Sequence, residues 1–210
     1  MIHALSGMGA DQRMYPPPWS SLAGFIAHDW MRYSSEQSLA AVAQSMCVAC
    51  GIQDGDTLVG ASLGGMVACE ITKLRKIPAL FLIGSTTEKE GVSRILTALH
   101  PMAQVTPFGW FQAVASKLPV EVAQMFAGMD PSFVRAMCAA IFEWKGLGVS
   151  PTKVYRIHGR FDLVIPPPPR VDLLLNGGHL ISRSHAKECT TFIQKTLNNP
   201  ANHDTGLQQP

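Results

Sequence analysis

The stretch DTLVGASLGG, residues 56–65, decides how this chain folds. Its first half is an apolar run typical of a buried strand, and from Gly64 to Arg75 the apolar residues recur at helical spacing. Gly60, Ser62 and Gly64 therefore form a G-x-S-x-G pattern at a turn between a strand and a helix. At such a turn the serine backbone is strained and its neighbours must be small. The flanking strand and helix favour a nucleophilic serine over one that only caps the helix.

Strands and helices alternate on both sides of this turn. Strand-like runs precede and follow it, at residues 2–5, 24–30, 79–83, 153–157 and 171–175, and helical patterns occupy residues 35–50 and 184–197. Such alternation predicts right-handed crossovers and a parallel sheet with helices on both faces. Residues 85–148 instead show helical apolar spacing and no strand-like run. We therefore predict an α/β core at 1–84 and 149–197, a helical cap insertion at 85–148, and a flexible polar tail at 198–210.

The composition of the chain limits its class. Of the 210 residues, 47% are hydrophobic and only 15% are charged, as expected of one ordered domain with a large core. A net charge of +2 without a basic stripe argues against nucleic acid as a partner. The five cysteines are scattered and odd in number, and neither a secretory signal nor an apolar run of about 18 residues is visible. We expect reduced thiols, no membrane span and a cytoplasmic location, while the oligomeric state stays open.

Two later motifs supply the partners that a nucleophilic serine needs. A serine hydroxyl requires a base to take its proton and a carboxylate to orient that base. Asp162 follows the strand-like run at 153–157, and His179 ends an Asn-Gly-Gly-His sequence after the next run. Carboxyl ends of parallel strands meet at one edge of a sheet, so both side chains should approach Ser62. We interpret His158 as structural.

Other residues leave alternatives open. Glu88 and Glu90 follow the strand-like run at 79–83 and are the second choice for the orienting acid. No spacing such as H-E-x-x-H supports a metal site, so we expect neither a metal nor a cofactor. Methionines and aromatic residues of the insertion could line an apolar pocket or could simply form the core of the cap; they are Met102, Met125, Met129, Met137, Phe108, Trp110, Phe111 and Phe126.

Taken together, these motifs resemble those of the α/β-hydrolase superfamily, in the order Ser, Asp, His along the chain. The resemblance also includes the Leu-Ser-Gly-Met-Gly turn at residues 5–9. It implies that the backbone N–H groups of Met8 and Leu63 form an oxyanion hole and that the insertion covers the site. The chain departs from the family in two ways: Ser6 stands where many relatives have histidine, and we expect the family's first two antiparallel strands to be absent. The implied fold is a minimal α/β-hydrolase sheet of about six mostly parallel strands.

The resemblance implies a serine hydrolase that cleaves a carboxylic ester or thioester of a small to medium, mainly apolar molecule through an acyl-enzyme on Ser62. Two alternatives remain at this point. The same three side chains can serve a lyase or a hydrolase of carbon–carbon bonds. A ligand-binding member of the fold with negligible turnover is also compatible with the motifs, although binding alone has no need of a nucleophile, a base and an acid.

Overall fold

The computed structural model describes residues 1–92 and 130–199, and within these ranges six strands form one sheet. The strands are β1 (Ile2–Leu5), β2 (Phe25–His28), β3 (Thr57–Ala61), β4 (Ala79–Ile83), β5 (Lys153–Gly159) and β6 (Leu173–Leu175). Their order across the sheet is β2-β1-β3-β4-β5-β6, and every neighbouring pair is parallel. The reversal of strand order beside β1 opens a crevice at the carboxyl ends of the strands, where open parallel sheets bind ligands.

Five α-helices accompany the sheet in the described part of the chain: α1 (Leu39–Ala49), α2 (Leu63–Ile71), α3 (Pro131–Glu143), α4 (Ile181–Ser184) and α5 (Ala186–Leu197). Short 3₁₀ turns lie at Gln12–Met14, Pro17–Ser21 and Lys89–Gly91. Within the described ranges, no helix combines the length and the apolar character that crossing a bilayer requires.

Both faces of the sheet are buried. Along β4, Leu80 and Leu82 pack into a core shared with α1, α2 and α3. The alternate residues Phe81 and Ile83 pack into a second core shared with α5. Side chains of a strand alternate between the two faces, so a strand covered on both sides is apolar throughout. The predicted parallel sheet with helices on both faces is confirmed, and the described sheet is entirely rather than mostly parallel.

Some predicted element bounds were too wide. The strand expected at 24–30 is β2, Phe25–His28, and the last strand is Leu173–Leu175. Helix α1 begins at Leu39 rather than near residue 35, because the Ser38 hydroxyl accepts a hydrogen bond from the Ala41 N–H at 3.1 Å and caps it there. The final helix starts at Ala186, since the separate short helix α4 precedes it.

The described parts of the predicted insertion pack directly on the core. Helix α3 starts at Pro131 after Asp130, whose carboxylate accepts a hydrogen bond from the Ser132 N–H at 2.8 Å. Phe133 and Met137 of α3 are buried in the first core, so Met137 contributes to packing. The other methionines and aromatic residues proposed for a pocket lie outside the described residues, as does most of the predicted tail, and the domain boundaries stay predictions.

Candidate active site

Ser62 lies between β3 and α2 in a backbone conformation that side chains rarely adopt, with φ 51° and ψ −122°. Close backbone packing holds this turn and explains the flanking glycines. A Cβ on Gly60 would lie 2.4 Å from the Gly65 Cα, and one on Gly64 would lie 2.3 Å from the Leu5 carbonyl oxygen. Larger residues cannot fit there without moving backbone. The strain at Ser62 presents its hydroxyl at the carboxyl edge of the sheet.

Ser85, which the sequence did not single out, supports the same turn. Its buried hydroxyl donates a hydrogen bond to the Ser62 carbonyl oxygen at 2.7 Å. The Ser62 N–H in turn donates to the Ile83 carbonyl at 3.1 Å. Both backbone groups of the strained residue are thus bonded to the end of β4 and the residues that follow it, which fixes the direction of the Ser62 side chain.

The structure brings the three predicted side chains into one hydrogen-bonded chain. The Ser62 Oγ lies 2.9 Å from His179 Nε2, and His179 Nδ1 lies 2.8 Å from Asp162 Oδ2. A carboxylate only accepts, so His179 donates from Nδ1 and its Nε2 is left to accept the serine proton. The Asp162 side chain has no exposed surface, whereas 18% of the His179 side chain is exposed.

The second oxygen of Asp162 is also bonded. Its Oδ1 accepts hydrogen bonds from the N–H groups of Val164 and Ile165 at 2.9 and 3.0 Å. The Asp162 carboxylate is therefore oriented by its own loop, independently of its hydrogen bond to His179. That loop touches the one carrying His179, because a Cβ on Gly159 would lie 2.2 Å from the Gly178 carbonyl oxygen. Glycines at this contact let the two loops approach each other closely.

Met8 and Leu63 are the two residues whose backbone N–H groups were predicted to form the oxyanion hole, and that role stays a prediction. Met8 lies in the loop after β1, and Leu63 is the first residue of α2. Neither backbone N–H donates a hydrogen bond to another residue in the described chain. A Cβ on Gly7 would lie 3.4 Å from the Ser62 Cβ, which places the loop beside the serine. Ser6, where many relatives have histidine, donates its hydroxyl proton to the Asp11 carbonyl at 2.9 Å and so holds the loop closed.

His158 and the alternative acids lie outside the hydrogen-bonded chain. The buried His158 ring donates from Nε2 to the Ile165 carbonyl at 3.0 Å, which supports the loop that carries Asp162. Burial lowers the pKa of His158, so the ring is neutral at neutral pH. Glu88 and Glu90 are exposed, while the Nδ1 of His179 is bonded to Asp162.

Comparison of sequences with known proteins does not identify the fold of this chain, whereas comparison with solved structures does. No model of a known protein family matches the sequence, and no curated protein sequence does. Among solved structures, a hydrolase from Oleispira antarctica is 18% identical with a TM-score of 0.75, covering 94% of this chain and 91% of its own. The enol-lactonase from Burkholderia xenovorans is 14% identical with a TM-score of 0.73, covering 94% and 91%.

A third solved structure is similar over the same length. The esterase from Thermogutta terrifontis, determined with malate bound, is 18% identical with a TM-score of 0.69, covering 93% of this chain and 88% of its own. Identities this low show a common fold only. Together with the parallel six-stranded sheet and the strained serine after β3, they show that this chain has the α/β-hydrolase fold.

Proposed function

We propose that this protein is a serine hydrolase that cleaves a carboxylic ester or thioester through an acyl-enzyme on Ser62. One observation carries the proposal: Ser62 Oγ, His179 and the fully buried Asp162 form a continuous hydrogen-bonded chain, with distances of 2.9 and 2.8 Å. This is the geometry in which a serine hydroxyl can lose its proton to an oriented imidazole at neutral pH.

In the first step, Ser62 Oγ attacks the carbonyl carbon of the substrate while His179 Nε2 accepts the hydroxyl proton. Asp162 stabilises the imidazolium that forms. The N–H groups of Met8 and Leu63 donate to the developing oxyanion, helped by the partial positive charge at the start of α2. The imidazolium then protonates the departing alcohol or thiol, which leaves the acyl group on Ser62.

In the second step, water attacks the acyl-enzyme, with the same histidine as base. His179 suits this role because its ring is partly exposed while its acid partner is buried. The tetrahedral intermediate collapses, the serine recovers its proton and the carboxylic acid leaves. These steps use side chains and backbone groups of the chain itself and need no cofactor.

Two observations support an ester of modest size with apolar groups. The solved structures of similar fold include esterases and an enol-lactonase, whose names describe cleavage of carbon–oxygen ester bonds. Leu63, which follows Ser62, belongs to the same apolar cluster as Phe133 of α3, and the partly buried Met8 packs against that cluster. An apolar surface beside the nucleophile favours small to medium apolar acyl or alcohol groups over charged ones.

The decisive experiment compares wild-type protein with Ser62→Ala on p-nitrophenyl esters and thioesters of graded acyl length. We expect the variant to lose on the order of 10⁴-fold or more in kcat and to escape labelling by a fluorophosphonate. Ser182→Ala is the matched control, since Ser182 is also buried and its hydroxyl makes no hydrogen bond within the described chain. The proposal is wrong if Ser62→Ala keeps the turnover of the control.

A further inference from the structure

The peptide unit between Gly7 and Met8 is held from one side by two donors. The Gly7 carbonyl oxygen accepts a hydrogen bond from the indole Nε1–H of Trp30 at 2.9 Å. It accepts a second from the Ala10 N–H at 3.1 Å. Trp30 lies beyond β2 in a different part of the chain, so its bond ties the loop after β1 to the loop after β2.

The geometry of a trans peptide converts this bond into a constraint on the proposed oxyanion hole. The carbonyl of Gly7 and the N–H of Met8 belong to one planar unit and point in opposite directions, and the described residues contain no cis peptide bond. Fixing the carbonyl toward Trp30 therefore fixes the direction of the Met8 N–H. That N–H has no partner in the described chain, and the Gly7 backbone lies against Ser62.

We propose that Trp30 is a positioning residue for the oxyanion hole: its indole N–H orients the Gly7–Met8 peptide so that the Met8 N–H is ready to donate to the reacting oxygen. This inference rests on the proposed hydrolase function. A hydrogen bond to the carbonyl also polarises the amide, so Met8 becomes a better donor. Trp30 acts only through this peptide, because its indole N–H bonds the Gly7 carbonyl, while the Met8 N–H is the group that contacts the substrate.

The indole is itself held on both sides. Its ring packs on Phe133 of α3 with centroids 5.3 Å apart, and Phe133 also contacts Tyr33 at 5.9 Å. The preceding residue, Asp29, accepts a hydrogen bond from the Gln12 N–H at 2.7 Å. Trp30 thus lies between the loop after β1 and helix α3, and these contacts keep its indole N–H directed at the Gly7 carbonyl.

The test is Trp30→Phe, which removes the donor and keeps an aromatic ring. We expect kcat on a p-nitrophenyl ester to fall about 10- to 100-fold with KM little changed, as for misplacement of a catalytic group. The inhibition constant of a trifluoromethyl ketone, whose oxyanion occupies the same hole, should rise by a similar factor. Trp144→Phe is the matched control, because the Trp144 indole donates to the Glu70 carboxylate at 2.6 Å rather than to the loop that carries Met8. We therefore expect its kcat to stay near the wild-type value.

A second variant separates loss of the hydrogen bond from loss of packing around the ring. Site-specific replacement of Trp30 by benzothienylalanine puts sulfur in place of the indole N–H and preserves the size of the ring, and we expect the same loss in kcat. If both Trp30 variants fold and keep the kcat and inhibitor affinity of the Trp144 control while Ser62 remains essential, the role of Trp30 is overturned and the hydrolase function stands. If wild-type protein neither turns over esters nor labels at Ser62, both proposals fail.

Discussion

Two histidine–aspartate pairs in this fold differ in which partner is the more deeply buried. In the pair His179–Asp162 the acid side chain is fully buried and the base is 18% exposed. In the pair His3–Asp56, whose imidazole Nε2 lies 3.3 Å from the carboxylate, the base is 4% exposed and the acid 12% exposed. The third partner differs as well: His179 meets the Ser62 hydroxyl, whereas His3 Nδ1 lies 2.9 Å from the ring of His28.

The comparison indicates why the pair His179–Asp162, and not the pair His3–Asp56, suits the proposed catalysis. His3 and Asp56 lie near the amino-terminal ends of β1 and β3, where strands begin, and the buried imidazole faces another histidine. His179 lies in the loop after β6, at the carboxyl edge where crossover turns leave a crevice. A substrate can reach a base that is partly exposed, while a buried acid keeps that base in one tautomer.

The largest effect on kcat is expected when Asp162, rather than Asp56, is replaced. Asp162→Asn keeps the size of the side chain but favours the wrong tautomer of His179, so we expect kcat to fall about 10⁴-fold, as in serine proteases. Asp56→Asn disturbs a carboxylate that accepts a hydrogen bond from the Gln53 N–H at 2.8 Å, and it should lower stability with little change in kcat. Ester hydrolysis and thermal unfolding of both variants measure the difference. Equal losses of kcat would show that Asp162 is not the orienting acid.

A smaller effect is expected from two glycines with positive φ, one beside each pair. Gly84 (φ 51°) lies where a Cβ would be 3.2 Å from Asp162 Oδ2 and 3.1 Å from the His179 carbonyl oxygen. Gly55 (φ 90°) precedes Asp56, and a Cβ there would meet nothing within 4 Å. Alanine at either position should cost about 1 kcal/mol or more of stability through backbone strain.

Activity distinguishes these two alanine variants. Gly84→Ala should also reduce kcat, by about tenfold, since the new methyl group displaces the acid or the base by a few tenths of an ångström. Gly55→Ala should keep the wild-type kcat at a temperature where both variants are folded. Steady-state kinetics beside urea unfolding curves give the answer. A Gly84→Ala protein that is destabilised but fully active would show that the site tolerates this displacement.

The smallest expected effect concerns pH and the pair of stacked histidines. Burial lowers the pKa of His3, against the opposing attraction of Asp56, and burial also lowers the pKa of His28. Below about pH 6.5 both histidines become protonated in the unfolded chain, while in the folded protein they remain neutral. The free energy of unfolding therefore decreases as the pH falls toward the pKa values of the folded state. At higher pH both states hold neutral rings, and this contribution to pH dependence disappears.

His28→Gln tests this expectation, because it removes one of the two rings. The urea midpoint should decrease less between about pH 7.5 and 5.5 in the variant than in the wild type. Activity at pH 7.5 should stay unchanged, since His28 lies at the end of β2 and contacts His3 rather than Ser62. A variant with the full wild-type pH dependence would assign the effect to other groups, the buried His158 first among them.

Much of the fold was predictable because its decisive elements are local. The strand Ala79–Ile83 is where its apolar run predicts it, since a strand buried on both faces is mostly apolar. The strand Ile2–Leu5 also lies where its strand-like run predicts it, although it contains the buried His3. The short helix α4 was missed because four residues are too few to show helical spacing. Ser85 and Trp30 were missed for another reason: each meets a backbone carbonyl 23 positions away, which leaves no pattern in the sequence.

By itself, the sequence determined the parallel sheet, the strained turn at Ser62, and Asp162 and His179 as the candidate partners of that serine. Spacing and chain order carry this information, because strand, turn and helix signals are written in neighbouring residues. Only the tertiary structure decided that Asp162 lies buried against His179 while Glu88 and Glu90 stay exposed. It also decided that Trp30 donates a hydrogen bond to the Gly7 carbonyl in the loop that carries Met8. Burial and hydrogen-bond geometry arise when distant segments pack, so no local pattern can specify them.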